Sequence, residues 1–186
     1  EFSRVKATTG LIKVGNTNKR GTKVSFIPDE QIFGEYAKLD PEKIKEELDL
    51  RAYINAGLEI EFNCGKEKVV FKHENGIEDY LQVLNSNPLC DMVGFEFEDI
   101  IEMEVEGKKE KATNIYQVVF NYSNTLGENI KSFVNGIITI KGTHEQGFKI
   151  GLTTAITDYI KKNNLIPKKL KGIEIKGEDV REGIYA

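Results

Sequence analysis

The segment of residues 142–145, Gly142-Thr143-His144-Glu145, combines residue types that can bind an anion. It follows a short apolar strand pattern and precedes an amphipathic helix pattern. The first turn of a helix exposes backbone N–H groups at the positive end of its dipole, and these attract phosphates and carboxylates. In that turn, His144 could hold a phosphate or a carboxylate of another domain, or it could fix the loop by hydrogen bonds. The residues alone leave both roles open.

The helix after this segment has a predicted start and one apolar face. Thr143 has Gln146 three residues later, which is the spacing of a capping box, so we predict that Thr143 is the N-cap. Its side-chain oxygen would then accept the N–H of Glu145 or Gln146. The apolar positions share the spacing of one buried helix face, and they are Phe148, Leu152, Ala155, Ile156, Tyr159 and Ile160.

Positive charge is concentrated at the end of this helix. The net charge is −4, yet residues 161–176 contain six lysines and one acidic residue, Glu174. Such a segment can contact a phosphate backbone without reading its sequence, or it can be a solvated helix end that complements the dipole. The candidate DNA contacts are Lys149, Lys161, Lys162, Lys168, Lys169 and Lys171.

Length and composition are those of one globular domain. The chain has 186 residues, of which 39% are hydrophobic and 30% are charged. It contains no signal peptide pattern and no apolar run near the roughly 18 residues that a membrane span needs. Cys64 and Cys90 have no metal-type spacing and suit a reducing compartment. We therefore expect a cytoplasmic protein with no membrane partner and no metal site.

The first part of the sequence predicts a strand and then a helix. Residues 24–27 have strand character, and Pro28 ends them. Asp40 is the expected N-cap of a helix with Pro41 at its first position, and Gly57 is its expected stop.

Two hairpins and a short helix follow. Residues 58–62 alternate between apolar and acidic side chains and form the first strand of the first hairpin, and residues 69–72 form its returning strand. Asn75, with Glu78 three residues later, predicts the N-terminus of the helix. A longer hairpin is expected to turn at residues 107–110. His73 has no second ligand at metal spacing, so we interpret it as a surface residue. Together these patterns predict an α/β (α+β) domain with a mostly antiparallel sheet.

Glutamates recur at even-numbered positions in the first strand of the long hairpin, which places them on one face of that strand. An evenly spaced row of carboxylates invites a metal or acid-catalysis interpretation, but it is more typical of a solvated strand face that prevents aggregation. The row consists of Glu96, Glu98, Glu102, Glu104 and Glu106.

Several ordered blocks of the chain resemble one protein family. The strand–Gly-Thr-His–helix unit is similar to that of the transducer (second) domain of the ATPase subunit of bacterial type IIA DNA topoisomerases, which is gyrase B or its topoisomerase IV counterpart ParE. Other blocks resemble that domain in the expected order. The five blocks are residues 21–33, 49–58, 71–85, 132–149 and 177–183.

The resemblance implies a ribosomal-protein domain-2-like fold with a left-handed βαβ crossover. It implies that the domain, here residues 1–186, relays ATP binding and hydrolysis to movement of the DNA gate. In the complete enzyme, ATP and Mg²⁺ are cofactors, and the partners are duplex DNA, a gyrase A or ParC-type cleavage subunit and a second copy of the ATPase subunit. The implied motif and interdomain-loop residues are Gly142, Thr143, His144, Glu145, Asp179 and Arg181.

Nucleotide-binding motifs are absent from the sequence. It has neither a Gly-x-x-x-x-Gly-Lys-Ser/Thr loop nor a Gly-x-Gly-x-x-Gly after a strand. The family's Asp-x-Gly-x-Gly segment and Gln-Thr-Lys loop are absent too. We therefore expect a transducer fragment, truncated before that loop, with no catalytic residue of its own and no ATP binding.

The chain departs from the family pattern at two places. Lys141 precedes a single Gly142 where the family has two glycines, and Thr154 lies near the place of a helix arginine. Two interpretations remain open from the sequence. One is a relay domain of a topoisomerase, and the other is a free-standing module of the same fold that binds nucleic acid or protein without enzyme activity.

Overall fold

The computed structural model describes residues 2–3, 6–18, 20–105, 107–167, 169 and 172–186. The chain divides into two compact units, residues 1–46 and 47–186. Lys168 and Lys171, two of the predicted DNA contacts, lie outside the described residues, as does Glu106 of the glutamate row. That residues 1–186 form one transducer domain stays a prediction. Within the described part of the chain, no helix is long and apolar enough to span a bilayer.

The first unit contains short elements. Strands β1 (Phe2–Ser3) and β2 (Lys6–Ala7) pair in antiparallel fashion. Helix α1 (Glu30–Phe33) begins where the Asp29 carboxylate accepts the N–H of Gln31 at 2.9 Å, and a 3-10 turn (Gly34–Ala37) follows it.

The strand predicted at residues 24–27 is wrong. The structure assigns no strand there, and the side chains of Val24 and Phe26 are 79% and 73% exposed. A β-strand is stable only when a neighbouring strand satisfies its backbone groups, and no described strand pairs with this segment. The alternation of residue types was therefore not sufficient to make a strand.

Helix α2 (Pro41–Tyr53) begins as predicted. The Asp40 carboxylate accepts the N–H of Glu42 at 3.0 Å, which confirms the predicted cap and the place of Pro41 as the first helical residue. The helix ends at Tyr53, before the expected stop at Gly57.

The second unit consists of antiparallel ladders and helices. Hairpin β3 (Ile60–Cys64) with β4 (Glu67–Phe71) and hairpin β5 (Val93–Val105) with β6 (Lys108–Tyr122) confirm the two predicted hairpins. Strands β7 (Ser132–Val134) and β8 (Ile137–Thr139) form a further hairpin. Strand β9 (Ile184–Tyr185) pairs with the end of β6. The mixed fold with antiparallel sheets is confirmed, and the handedness of the crossover stays a prediction.

The described glutamates of β5 are exposed, and two of the four lie opposite lysines. Glu102 lies directly across from Lys111, and Glu104 lies across from Lys109. Cross-strand pairs of opposite charge stabilise a hairpin modestly. The geometry is that of a solvated face, and the described residues include no cluster of three or more His, Cys, Asp or Glu side chains that could hold a metal ion.

Helices α3 (Ile77–Leu84), α4 (Thr143–Lys162) and α5 (Gly177–Arg181) complete the second unit. The predicted Asn75–Glu78 capping box is wrong by one residue. The N-cap of α3 is Gly76, and the side chain that reaches back to the N–H of Asn75, at 3.1 Å, belongs to Asp79. This difference arises because the helix starts at Ile77.

The described core is small and draws its residues from α2, β3, α3, α5 and β9. Its described apolar members are Ala52, Phe62, Leu81, Val180 and Ile184. Two buried asparagines join α3 to β6, since Asn85 Nδ2 donates to Asn121 Oδ1 at 2.8 Å. Buried polar groups of this kind are stable only when they are paired.

His73 is a partly exposed residue, with its side chain 20% exposed, and it has partners that the sequence did not predict. Its Nε2 lies 2.6 Å from Asp49 Oδ1, and its ring stacks on Tyr53 with 3.4 Å between ring centroids. The residue thus fastens the end of α2 to the residues after β4. No local pattern indicates this contact, because its partners lie on a different element.

Leu81 offers a direct test of the core. Its side chain is 1% exposed, whereas Val83 on the same helix is 64% exposed. We expect Leu81→Ala to lower the free energy of unfolding by about 2–5 kcal/mol, because the truncation leaves a cavity. The control Val83→Ala should change it by less than about 1 kcal/mol. Urea unfolding followed by circular dichroism measures both, and equal losses would contradict this core.

Candidate functional site

Helix α4 begins one residue earlier than predicted. Its N-cap is Gly142, which makes no side-chain cap hydrogen bond, and Thr143 is the first helical residue. The expected Thr143–Gln146 capping box is therefore wrong. The N–H of Gln146 instead donates to the carbonyl of Gly142 at 3.1 Å. Since Thr143 is already inside the helix, its hydroxyl is not in the N-cap position.

His144 is held against the loop that precedes the helix. A Cβ added to Gly142 would overlap the His144 imidazole, so the ring lies directly on the glycine backbone. His144 Nε2 is also 3.3 Å from the Thr139 hydroxyl at the end of β8. Of the two roles that the sequence left open, this geometry supports fixing of the loop.

Glu145 binds the β7–β8 hairpin to the first turn of α4. Its Oε2 accepts the Ser132 hydroxyl at 3.1 Å, and Ser132 Oγ is 2.6 Å from Thr139 Oγ1. Its Oε1 is 2.9 Å from Lys149 Nζ one turn further along the helix. The carboxylate thus has partners on both the hairpin and the helix.

Lys149 lies between two carboxylates. Its Nζ contacts Glu145 at 2.9 Å and Glu128 at 3.1 Å, and its side chain is 25% exposed. The hydrogen bond to Glu145 is the main reason why the pKa of Lys149 is raised, and the hydrogen bond to Glu128 adds to it, while burial opposes the shift. The ammonium group thus already has two carboxylate partners inside the protein.

Arg181 connects the C-terminal block to the same charges. Its Nε donates to Glu128 Oε2 at 2.7 Å, and its guanidinium donates to the Thr153 hydroxyl of α4 at 3.1 Å. Asp179 has a different, local role, because its Oδ2 accepts the N–H of Lys176 at 2.7 Å and caps α5. The structure therefore connects Arg181 to the segment of residues 142–145 indirectly, through Glu128 and Lys149, and leaves Asp179 as a cap.

We call this connected set of side chains the relay network. It joins the β7–β8 hairpin, α4, α5 and the loop of residues 123–131. Its members are Glu128, Ser132, Thr139, His144, Glu145, Lys149, Thr153 and Arg181.

Sequence reasoning missed four of these residues. Glu128 lies 21 residues from Lys149 and 53 from Arg181 along the chain, so no periodicity relates them. Ser132, Thr139 and Thr153 are small hydroxyl residues, which sequence patterns do not distinguish from surface positions.

An open cleft of about 780 Å³ adjoins the network. One side is formed by residues 113–119 of β6, and another by residues 130–136. Thr143, His144 and Glu145 also line it. The segment of residues 142–145 therefore forms part of the cleft wall.

The candidate DNA lysines do not form one patch with Lys149. Lys161 and Lys162 are exposed in the last turn of α4, and Lys169 is exposed beyond it. Lys149 lies three turns earlier in the helix, about 18 Å from Lys161 at the usual helical rise.

Comparison with known proteins assigns the family. The family model described as DNA gyrase B matches residues 76–186, more than half of the chain. The chain belongs to the DNA gyrase B family. Its relatives include the DNA gyrase B protein of Streptococcus pneumoniae, which is 34% identical over 194 residues and is matched across 100% of this chain and 28% of its own length. The DNA gyrase B protein of Thermotoga maritima is 35% identical over 192 residues, with 100% of this chain and 29% of the relative covered.

A solved gyrase B structure shares the fold. The crystal structure of the 43K ATPase domain of Thermus thermophilus gyrase B, in complex with an aminocoumarin, matches with a TM-score of 0.58 and 28% identity. The match covers 85% of this chain and 41% of that chain. The chain spans less than a third of the length of the two curated relatives.

The Glu145–Lys149 pair predicts how the stability of this domain depends on pH. The pKa of Glu145 is lowered from 4.5, mainly by the hydrogen bond from Lys149 and further by Ser132, although burial opposes the shift. A lowered folded-state pKa stabilises the fold above the unfolded-state pKa, and this contribution is lost as pH falls through the folded-state value.

We expect the unfolding free energy of wild type to exceed that of Glu145→Gln by a constant amount between about pH 6 and about pH 8, and the difference to shrink below about pH 4.5. Lys149→Met should reduce the difference at neutral pH, because it removes the main partner. Urea titrations at each pH measure these values. A difference that is the same in acid and at neutral pH would contradict the ion pair.

Proposed function

We propose that this chain is the transducer domain of an ATP-dependent type IIA DNA topoisomerase. It relays ATP binding and hydrolysis to movement of the DNA gate and to strand passage. The observation that carries the proposal is the match of 85% of the chain to the ATPase domain of Thermus thermophilus gyrase B. The alternative of a free-standing binding module gains no support from the relatives named above, which are gyrase proteins.

The relay network gives this role a physical basis. A domain that transmits a displacement needs elements that move together, and such coupling is carried by packed side chains and connected hydrogen bonds. Here the segment of residues 142–145 is joined through Glu145, Lys149 and Glu128 to Arg181 in the C-terminal block.

The described residues do not fit a nucleoside triphosphate at the start of α4. The His144 ring covers the Gly142 backbone there, and the Glu145 carboxylate adds negative charge to the same turn. Because a carboxylate repels phosphate, the anion-binding role is disfavoured. In this proposal, ATP and Mg²⁺ are bound by other parts of the complete protein, and no chemical step is assigned to this chain.

The partners of the complete protein belong to the same proposal. They are duplex DNA, a gyrase A or ParC-type cleavage subunit, and a second copy of the ATPase subunit. The expected location is the cytoplasm. The names of the relatives support the topoisomerase complex in general.

The decisive experiment uses the complete gene product that contains this chain. Together with a gyrase A-type subunit, it should supercoil relaxed plasmid only when ATP and Mg²⁺ are present. The 186-residue chain alone should give no heat of specific binding when it is titrated with a non-hydrolysable ATP analogue. If the topology of the plasmid does not change in an ATP-dependent way, the proposal is overturned. A micromolar dissociation constant between the ATP analogue and the 186-residue chain alone would overturn the assignment of nucleotide binding to other parts of the protein.

The exposed lysines predict weak, salt-dependent DNA binding. If Lys161, Lys162 and Lys169 contact phosphates, the logarithm of the binding constant should fall with the logarithm of salt concentration by about 0.9 per contact. Replacing all three by glutamine should flatten that slope by about 2 to 3. Fluorescence anisotropy with duplex DNA at low salt measures it.

The control for charge alone is glutamine at Lys66, Lys109 and Lys111, which are also exposed. This variant loses the same charge and should keep the wild-type slope. If the salt slope is the same for wild type and for both variants, Lys161, Lys162 and Lys169 are a solvated helix end. DNA contact by this segment would then be rejected.

A further inference from the structure

We propose that Glu128 is a positioning residue that couples helix α4 to the C-terminal segment of residues 177–186. Through its carboxylate, a displacement of α4 is transmitted to the C-terminal segment, and a displacement of that segment is transmitted to α4. The proposal rests on the proposed function for its biological meaning, and it names the residue on which the relay would depend.

The two carboxylate oxygens of Glu128 serve different helices. Oε1 is 3.1 Å from Lys149 Nζ of α4, and Oε2 is 2.7 Å from Arg181 Nε of α5. Hydrogen bonds between charged groups are directional and stronger than neutral ones. One rigid carboxylate therefore fixes the distance between an ammonium on one helix and a guanidinium on the other.

The backbone around Glu128 is fastened to the C-terminal segment on both sides. Before Glu128, Ser123 N–H donates to the Gly183 carbonyl at 2.8 Å, and Gly183 N–H donates to the Gly127 carbonyl at 2.7 Å. After it, Asn129 N–H donates to the Ile184 carbonyl at 2.9 Å. The loop and the C-terminal segment are thus tied as one body, from which the Glu128 side chain reaches across to α4.

Gly183 makes this tie close. Its φ is 76°, which favours glycine, and a Cβ at this position would collide with the Ser123 carbonyl. The two backbones therefore lie at a separation that leaves no room for a side chain. A displacement of residues 183–186 would carry the loop with it.

The charges keep the Glu128 carboxylate ionised. Burial acts to raise its pKa, but the hydrogen bonds from Arg181 and Lys149 and their positive charges outweigh burial, so the pKa is lowered. Without Glu128, Arg181 would have no carboxylate between itself and Lys149. The two positive charges would then repel each other across the gap that the carboxylate now fills.

Other contacts keep both helices in place if Glu128 is lost. Arg181 still reaches the Thr153 hydroxyl, and the Tyr122 hydroxyl still donates to the Val180 carbonyl at 2.9 Å. Val180 and Ile184 remain in the core. Loss of Glu128 should therefore disturb the coupling between α4 and α5 more than the folding of either.

The first test measures coupling without any enzyme activity. Hydrogen exchange of α4 amides is compared in four forms of the 186-residue chain: wild type, Arg181→Met, Glu128→Gln and the double variant. We expect Arg181→Met to speed exchange in α4 by at least about fivefold, the lower end of ordinary coupling. In the Glu128→Gln background its effect should be smaller, because there it removes only the contact with the Thr153 hydroxyl. The same acceleration in both backgrounds would overturn the proposal.

The second test uses the complete protein with its cleavage subunit. Glu128→Gln should keep ATP turnover within about twofold of wild type but lower the supercoils introduced per ATP by at least about fivefold, because nucleotide state no longer moves the gate. Lys149→Met, which removes the arm to α4 together with the Glu145–Lys149 pair, should do the same. The matched control is Glu178→Gln, since Glu178 on α5 is 74% exposed and pairs only loosely with Lys176 at 3.7 Å.

The outcomes separate the two proposals. A wild-type protein without ATP-dependent supercoiling would overturn the proposed function, while the exchange experiment would still test Glu128. An active wild type in which Glu128→Gln and Lys149→Met have the supercoil yield of Glu178→Gln would overturn the coupling role alone. Thermal melting of each variant shows whether it is folded, and if Glu128→Gln does not fold, Lys149→Met carries the test.

Discussion

The pairing of β9 with the end of β6 is the contact on which the candidate site depends. Tyr122 of β6 lies opposite Ile184, and the Ile184 side chain is fully buried. Burial of one large aliphatic side chain contributes roughly 1.5–3 kcal/mol, which holds the short strand in register. Since α5 ends just before this strand, its register also decides where Arg181 reaches α4. Without this pairing, the relay network would lose Arg181, its member in the C-terminal block.

Charge in the relay network is balanced within a small region. Two carboxylates, Glu128 and Glu145, face Lys149 and Arg181, and each ion has partners on more than one element. Partial exposure limits what each pair contributes to stability, because water screens the charges. Their arrangement matters more as a geometric constraint than as a source of stability. It fixes the hairpin, the long helix and the C-terminal block relative to each other.

This arrangement disfavours an anion site at the segment of residues 142–145. The start of α4 has the dipole that attracts anions, but Glu145 occupies the first turn and His144 lies on Gly142. The helix terminus is therefore used inside the protein. In a chain of the gyrase B family, such a segment suits a domain that transmits movement, and the proposed chemistry with nucleotide belongs elsewhere in the complete protein.

Features that depend on neighbouring residues could be predicted from the amino-acid sequence. The Asp40–Pro41 helix start, the two hairpins and the family follow from local spacing or ordered blocks, because a cap or an alternating strand is specified within a few residues. The turn of the long hairpin was predicted at residues 107–110, but strand β6 already begins at Lys108. Other features required the packed chain. Residues 24–27 form no strand, because a strand needs a partner that its own sequence does not encode, and the N-caps predicted at Thr143 and Asn75 each missed by one residue. Glu128 meets Lys149 and Arg181 across 21 and 53 residues, and such a junction exists only after the ladders and helices have packed.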